Sequence, residues 1–591
     1  MVGQAWSRLS KLKRQRKEIR VKRSYRLHPM LLYQLLLIAA ALAFLSTSWF
    51  PGSWSAIEDH FRLVPATAPS QSLFGLAEYL TALALLFVVL TVSDFRYRYR
   101  LQVTRLNLIK TSFYVAFGIG FIILAIDAWV SNGWLVPAIL NSANNIKLLL
   151  ALLFLSMTCY MSYVAFVSPP RFSRWNSRKA FDAMHHYVAR GNPEQLFVVA
   201  DWLGASAERI ISLAANRTPR SASLGGESAL DHSDYAAYAL LLLGDKKLCR
   251  QMVEKSPWTI AEFFRTAGQH PHANLPMSQF ARNIGTELVV NPLSALYFED
   301  DGFESGFLGF TKPISTSVYG DWQLVEDLAS SGGSPLDIDV DTSFNLTPSQ
   351  LKAYARAVLI FSRAYFAQPY PHHSFAFTRA LSVFERGLAS LHELGSKGGQ
   401  YWQSEAYISL GVRVRFVRDL IEMLSTFPTP TKRRARRHEL DGLAHVHQQV
   451  AKLVYEIIKA ASRLRAPQDI CWAVQYGAIW SDIFSFNETA SSKLVAFYLR
   501  RLIYDEIRKM DQYANFVGAG ILGYCLNVLG VSEEMSSEDD RHGFAPLRRT
   551  AVGWVKFNYS KLADEYPVVA EAILVGGISF DPVNNTVPIK F

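Results

Sequence analysis

The sequence predicts a mainly α-helical protein: an N-terminal unit of four transmembrane helices, followed by a large, mostly helical cytoplasmic domain of stacked helix hairpins. Three observations predict it. Four apolar segments of spanning length fall between residues 30 and 167. The cations cluster at alternate ends of those segments. Beyond residue 168 the apolar residues recur mostly at helical spacing.

At 591 residues the chain exceeds what one hydrophobic core of roughly 250 to 300 residues can serve, so several units are expected. The formal net charge of +11 suggests a nucleic-acid partner until it is located. Residues 1–26 carry ten Lys/Arg against one acid, and residues 94–110 carry five against one. Residues 168–180 carry four against none, whereas from 181 onward 40 Lys/Arg face 44 Asp/Glu. The excess charge sits beside the apolar segments, so a nucleic acid is not expected as a partner. The division read from this pattern is a basic cytoplasmic tail (1–29), a four-span unit (30–167), a helical subdomain (168–330) and a second one (348–591).

The spans fall at about 30–50, 73–92, 111–130 and 146–167, each near the 20 residues that a 30 Å apolar layer requires. Lys/Arg enrichment marks cytoplasmic loops, so the tail, 94–110 and 168–180 are placed inside, and 51–72 and 131–145 outside. Both termini are then cytoplasmic, in an inner or plasma membrane whose anionic inner leaflet is a partner. Trp49, Trp54, Trp129 and Trp134 fall where an outer aromatic belt belongs. Arg96, Arg98 and Arg100 alternate with period two and are read as topogenic rather than as a voltage sensor. Three charges, Glu78, Asp127 and Lys147, lie within spans near the outer face. They form a candidate intramembrane cluster for an ion path, against the blander reading of snorkelling or a helix-tying salt bridge. Gly118 and Gly120 are candidates for close helix approach.

In the soluble part, Pro193–Ala215 shows Leu196, Val199, Trp202, Leu203 and Ile210 at helical spacing. Thr347 and Pro348 read as a cap and first-turn proline for a helix through Ala367. Further helices are expected over 374–394, 402–427, 439–464, 470 into the 490s, and 515–530, with short strands at 572–580 and 587–591. Residues 291–347 break the pattern, being rich in Gly, Pro, Ser, acids and aromatics. Phe298, Glu299, Asp300, Asp301, Phe303 and Glu304 there form a candidate partner or ligand loop, at what reads as a boundary near 330–335.

The chemical motifs are short and incomplete. Asp337, Asp339 and Asp341 start like a calcium loop, but Thr342 stands where its glycine belongs and Pro348 where its bidentate glutamate belongs. His438, Asp441 and His445 share a helical face, yet the zincin pattern fails at Gly442. Gly518, Gly520 and Gly523 match G-x-G-x-x-G without the flanking strands of a dinucleotide site, so a buried helix is expected. Four distant cysteines read as free thiols. No metal, cofactor or catalytic residue is assigned. The basic run Lys432, Arg433, Arg434, Arg436 and Arg437 is a candidate contact for an anionic surface, weighed against a solvated loop.

The function expected from these residues is a multi-pass membrane protein whose helical domain senses, scaffolds or binds a protein partner or a second copy of itself. Two alternatives accompany it: an oligomeric pore gated by the domain, with Glu78, Asp127 and Lys147 at its mouth, and a membrane-anchored enzyme using Glu299 and Asp301.

Overall fold

The computed structural model describes residues 63–65, 75–92, 94–105, 108–132, 135–137, 143–216, 230–271, 273–299, 313–368, 373–396, 398–428, 443–484, 488–532, 540, 542–574 and 578–581. It is mostly helical and divides into two compact units, one of Met1–Val92 with Lys110–Ser162 and one of Ser93–Ile109 with Tyr163–Phe591. The expected first span, 30–50, lies outside the described residues.

The first unit contains a two-stranded antiparallel sheet, β1 (Leu63–Pro65) with β2 (Leu135–Pro137), in which Val64 faces Val136. Its helices are α1 (Leu76–Val92), α3 (Leu108–Ser131) and α4 (Ala143–Ser162); the intervening α2 (Phe95–Gln102) belongs to the other unit. Two stretches, Lys110–Ser131 and Ile146–Val167, are each 22 residues long and apolar enough to cross a membrane. Only 17% and 22% of their most apolar windows are buried, so their apolar side chains face outward. At 17 residues α1 is shorter, about 25 Å at 1.5 Å per residue.

These helices meet around Tyr79, Ile119, Ile123 and Leu150. The Tyr79 hydroxyl donates to the Ala116 carbonyl, and a methyl group at Gly120 would stand 2.6 Å from the Tyr79 ring. Gly120 thus permits the close approach expected of it, whereas Gly118 faces open space.

The second unit is built from helices whose ends the sequence encodes. Asn192 and Gln195 form a reciprocal capping box at the start of α6 (Pro193–Ala215), which follows α5 (Ser177–Arg190). Thr347 and Gln350 do the same for Pro348–Phe366, and Asp231 with Asp234 for His232–Leu242. Each box satisfies backbone donors that a helix start leaves open. Helix α6 packs against His232–Leu242 and Pro257–Gly268, Pro348–Phe366 against Glu405–Ser425, and Ala444–Ala461 against Ala490–Met510.

Four features differ from the sequence pattern. Residues 94–105 do not stay with the spans. Arginine alternation suggested no helix, yet Phe95 and Tyr99, one turn apart, pack on Tyr187, and Tyr99 also meets Trp202, so tertiary contact selects α2. The described part of 291–347 forms helices at Ala295–Phe298, Pro313–Tyr319, Trp322–Ser330 and Val340–Phe344. Leu296, Val318, Tyr319, Val325 and Leu336 from this segment are fully buried in the main core. Gly285 carries Pro335 across it: a methyl group there would lie 1.9 Å from the Pro335 carbonyl oxygen. Residues 470–490 form a broken rather than continuous helix, including a π-helix at Ala473–Ser481 whose Gln475 side chain joins Asn527 and the Ala461 carbonyl. Finally, among its described residues 572–580 holds a single bridge position, at Ile578, instead of a strand.

Candidate functional site

The residues that join the basic loops to the helical domain form a connected polar arrangement. Asp94 caps α2 by accepting from the Arg96 amide, and the following turn presents Tyr99 inward and its cations outward. Asn176 holds the second loop to the first: its Nδ2 donates to the carbonyls of Val103 and Arg171, each at 3.0 Å. Its Oδ1 accepts from the amide and hydroxyl of Ser173. Tyr187 donates to the Gln102 side chain at 3.0 Å, and Trp202 donates from Nε1 to the Pro170 carbonyl at 2.7 Å. Arg100 reaches the Ala165 carbonyl at 2.8 Å, on the π-turn Tyr163–Val167 that ends the last apolar helix.

The cations here divide by environment. Arg96 is half-buried over the Phe197 ring and Arg100 is spent on a carbonyl and Tyr97. Arg98, Arg105, Arg171, Arg174, Arg178 and Lys179 are exposed. The Arg105 guanidinium lies 4.7 Å from the Trp175 ring centre, and that indole is 72% exposed. Burial and neighbouring Tyr187 push the Tyr99 hydroxyl far above its ordinary range, so it stays neutral.

Sequence reasoning found the arginines as topogenic charges but missed Tyr99, Trp175, Asn176 and Tyr187. The signal it could have used is the aromatic spacing 95–99 beside the arginines, with a mid-loop Trp-Asn.

Of the three charges expected within spans, two are brought together. The Lys147 ammonium is 7% exposed and pairs with the Asp127 carboxylate, which is 38% exposed. Glu78 instead accepts from the Gly75 amide at 2.9 Å, capping its own helix. The expected three-charge cluster is thus an ion pair plus a separate capping carboxylate.

In the candidate loop, Phe298 is 71% exposed. Glu299 is directed inward: its carboxylate accepts from the amides of Ile314 and Ser315, both at 3.3 Å, and from the Ser315 hydroxyl. It ties residue 299 to residue 315, a structural task that occupies the oxygens a catalytic role would need. Asp300, Asp301, Phe303 and Glu304 lie outside the described residues, as do Lys432, Arg433, Arg434, Arg436 and Arg437, and His438 with Asp441.

Asp337 accepts from Ser334 and Arg379, and Asp339 pairs with Lys246 and Arg282, so these carboxylates are neutralised by cations of the protein itself. No group of three metal-binding side chains converges among the described residues. Gly518 and Gly520 lie in Phe516–Leu529 and pack on Met510 and Ser462, with Asn515 capping the Gly518 amide. Every residue from Gly518 to Leu529 is buried, which gives this apolar helix a core role. The chain matches no protein-family model, no curated protein and no solved structure.

Proposed function

We propose that this chain is a multi-pass protein of an inner or plasma membrane, with both termini cytoplasmic. Its helical domain acts as a sensor, scaffold or partner-binding module, without catalysis. The observation that carries this reading is the incorporation of residues 94–105 into the helical domain, with Tyr99 fully buried there. The chain therefore passes between the two units three times, at 92–93, 109–110 and 162–163. A tether needs one such connection. Three connections suit a sensor or scaffold better than a simple tether.

Four spans and the inside placement of the basic loops follow from the charge distribution. Reporter fusions test them: a cytoplasm-active reporter is expected to work after residues 105 and 175, and an export-active one after residues 60 and 135. Activity of the export reporter after residue 175 overturns the topology. The partner-binding role is tested by a photocrosslinking amino acid at the exposed Phe298 position in cells. A single protein adduct, or a dimer of this chain, is expected there and not at Trp258, exposed on the same domain. Equal labelling at both positions defeats the reading.

The pore reading has weaker support, because the Lys147 and Asp127 charges neutralise each other. Conductance through liposomes containing the purified chain would restore it.

A further inference from the structure

The cations flanking the two membrane-length helices are held in one folded surface, and that surface has a ligand chemistry of its own. We propose that Arg105, Trp175, Arg171, Arg174, Arg178 and Lys179 form a binding site for the phosphate of an anionic lipid headgroup. This inference rests on the membrane reading above and names one partner of the same region.

Four observations support it. All five cations are exposed, and residues 95–110 and 168–180 contain no Asp or Glu, so no acid within either segment neutralises them. Asn176 fastens the Val103 carbonyl to the second segment at 3.0 Å, so Arg105 and the 171–179 cations are parts of one structure instead of two independent loops. Trp175 leaves 72% of its surface in the open with Arg105 stacked 4.7 Å from its ring centre. An indole exposed to this degree beside a cation suits the zone of headgroups, where its apolar body and polar N–H are both satisfied.

Chain length supplies the fourth. Arg105 precedes Lys110, where an apolar helix begins, by five residues, and Arg171 follows Val167, where the other ends, by four. Fully extended, these connections reach at most about 18 Å and 14 Å, so Arg105 and Arg171 are on short tethers to the apolar helices. A guanidinium presents paired donors that match phosphate oxygens, and four of the five cations are arginine.

The test uses the full chain purified in mild detergent and mixed with equal amounts of phosphatidylglycerol and phosphatidylcholine, with retained lipid counted by native mass spectrometry. Retention of phosphatidylglycerol is expected to exceed that of phosphatidylcholine at least five-fold. Arg174→Gln with Arg178→Gln is expected to bring that preference close to one, since each basic residue near the surface contributes about 1 kcal/mol. Because removing topogenic charge could disturb insertion, two further variants keep all the cations: Trp175→Ala and Arg105→Lys should each lower the preference at least two-fold. A control pair on exposed cations elsewhere, Arg463→Gln with Arg465→Gln, should leave it unchanged.

Equal retention of the two lipids by the parent chain overturns the proposal, as does a preference unaltered by Trp175→Ala and the Arg174/Arg178 pair. Loss of the preference in the control pair would assign it to diffuse charge. Abolition by inorganic phosphate at the lipid concentration would make this a site for a soluble anion. Failure of the reporter fusions, by contrast, removes the topology and leaves the lipid count standing as a separate result.

Discussion

Arg413 is a buried cation that neutralises no carboxylate among the described residues. Its Nε donates to the Phe384 carbonyl at 2.9 Å, Nη2 to that of Arg386 at 2.8 Å and Nη1 to that of Ser409 at 3.2 Å. Two of these carbonyls end the helix Phe375–Glu385, so the guanidinium sits where the helix dipole favours a positive charge. Burial lowers its pKa to about 10, which still leaves it charged near neutrality. Arg413→Met should cost about 2 to 4 kcal/mol in thermal or denaturant unfolding, since three buried carbonyls lose charged donors. A loss below 0.5 kcal/mol would mean that water replaces the donors.

His447 is buried in its neutral form: its Nδ1 meets the Leu443 carbonyl at 2.8 Å, while its fully buried Nε2 has no partner. Burial, helped by His445, lowers its pKa to about 4 from an ordinary 6.5. Below pH 6.5 the unfolded chain therefore binds a proton that the folded chain refuses. The contribution is whole above pH 6.5 and lost as pH falls toward 4, by about 3 kcal/mol at most. His447→Gln should flatten the stability profile between those pH values, and an unaltered slope would place the acid sensitivity elsewhere. At Gly285 the constraint is steric. Gly285→Ala forces the Pro335 backbone away and should cost about 1 to 3 kcal/mol, read as a lowered unfolding midpoint.

Among elements, α2 and the turn at 171–176 carry the most consequence, because short segments with little stability of their own depend on tertiary partners. Asn176 supplies several of those bonds at once. Asn176→Ala should cost about 2 to 3 kcal/mol and release residues 94–110, seen as faster proteolysis at Arg98 or Arg105 in the detergent-solubilised chain. Unchanged cleavage would show that Tyr99 and its aromatic neighbours hold the segment alone. By comparison, Pro348–Phe366 is specified locally by Thr347, Pro348 and Gln350, and loss of that capping box would affect one helix end only.

For the whole molecule, the Asp127–Lys147 pair distinguishes an anchoring role from a conducting one. Breaking a pair by removing one member strands a poorly hydrated charge, whereas removing both does not. Asp127→Asn, which strands the buried Lys147 ammonium, should therefore lower the unfolding midpoint in detergent more than Asp127→Asn combined with Lys147→Met. If the double variant is the worse of the two, the pair does more than satisfy its own charges. If Glu78→Gln joined to that double variant leaves insertion and cellular function intact, the apolar helices serve as an anchor.

Much of this organisation is written locally. Apolar length and composition suffice to mark Lys110–Ser131 and Ile146–Val167, because an α-helix satisfies its own backbone whatever surrounds it. Capping residues placed the starts of Pro193–Ala215, Pro348–Phe366 and Phe516–Leu529 because caps bond within a single turn. What needed the tertiary structure were the features that depend on partners distant in sequence. Tyr99 meets Trp202 across a hundred residues, Val318 and Leu336 gain a core from helices on both sides, and Lys147 finds Asp127 on another helix. The arginines beside α2 were legible as positive charge from composition alone. Their assembly with Trp175 into one surface was decided by the packing of α2, since a side chain's neighbours follow from the fold and its charge does not.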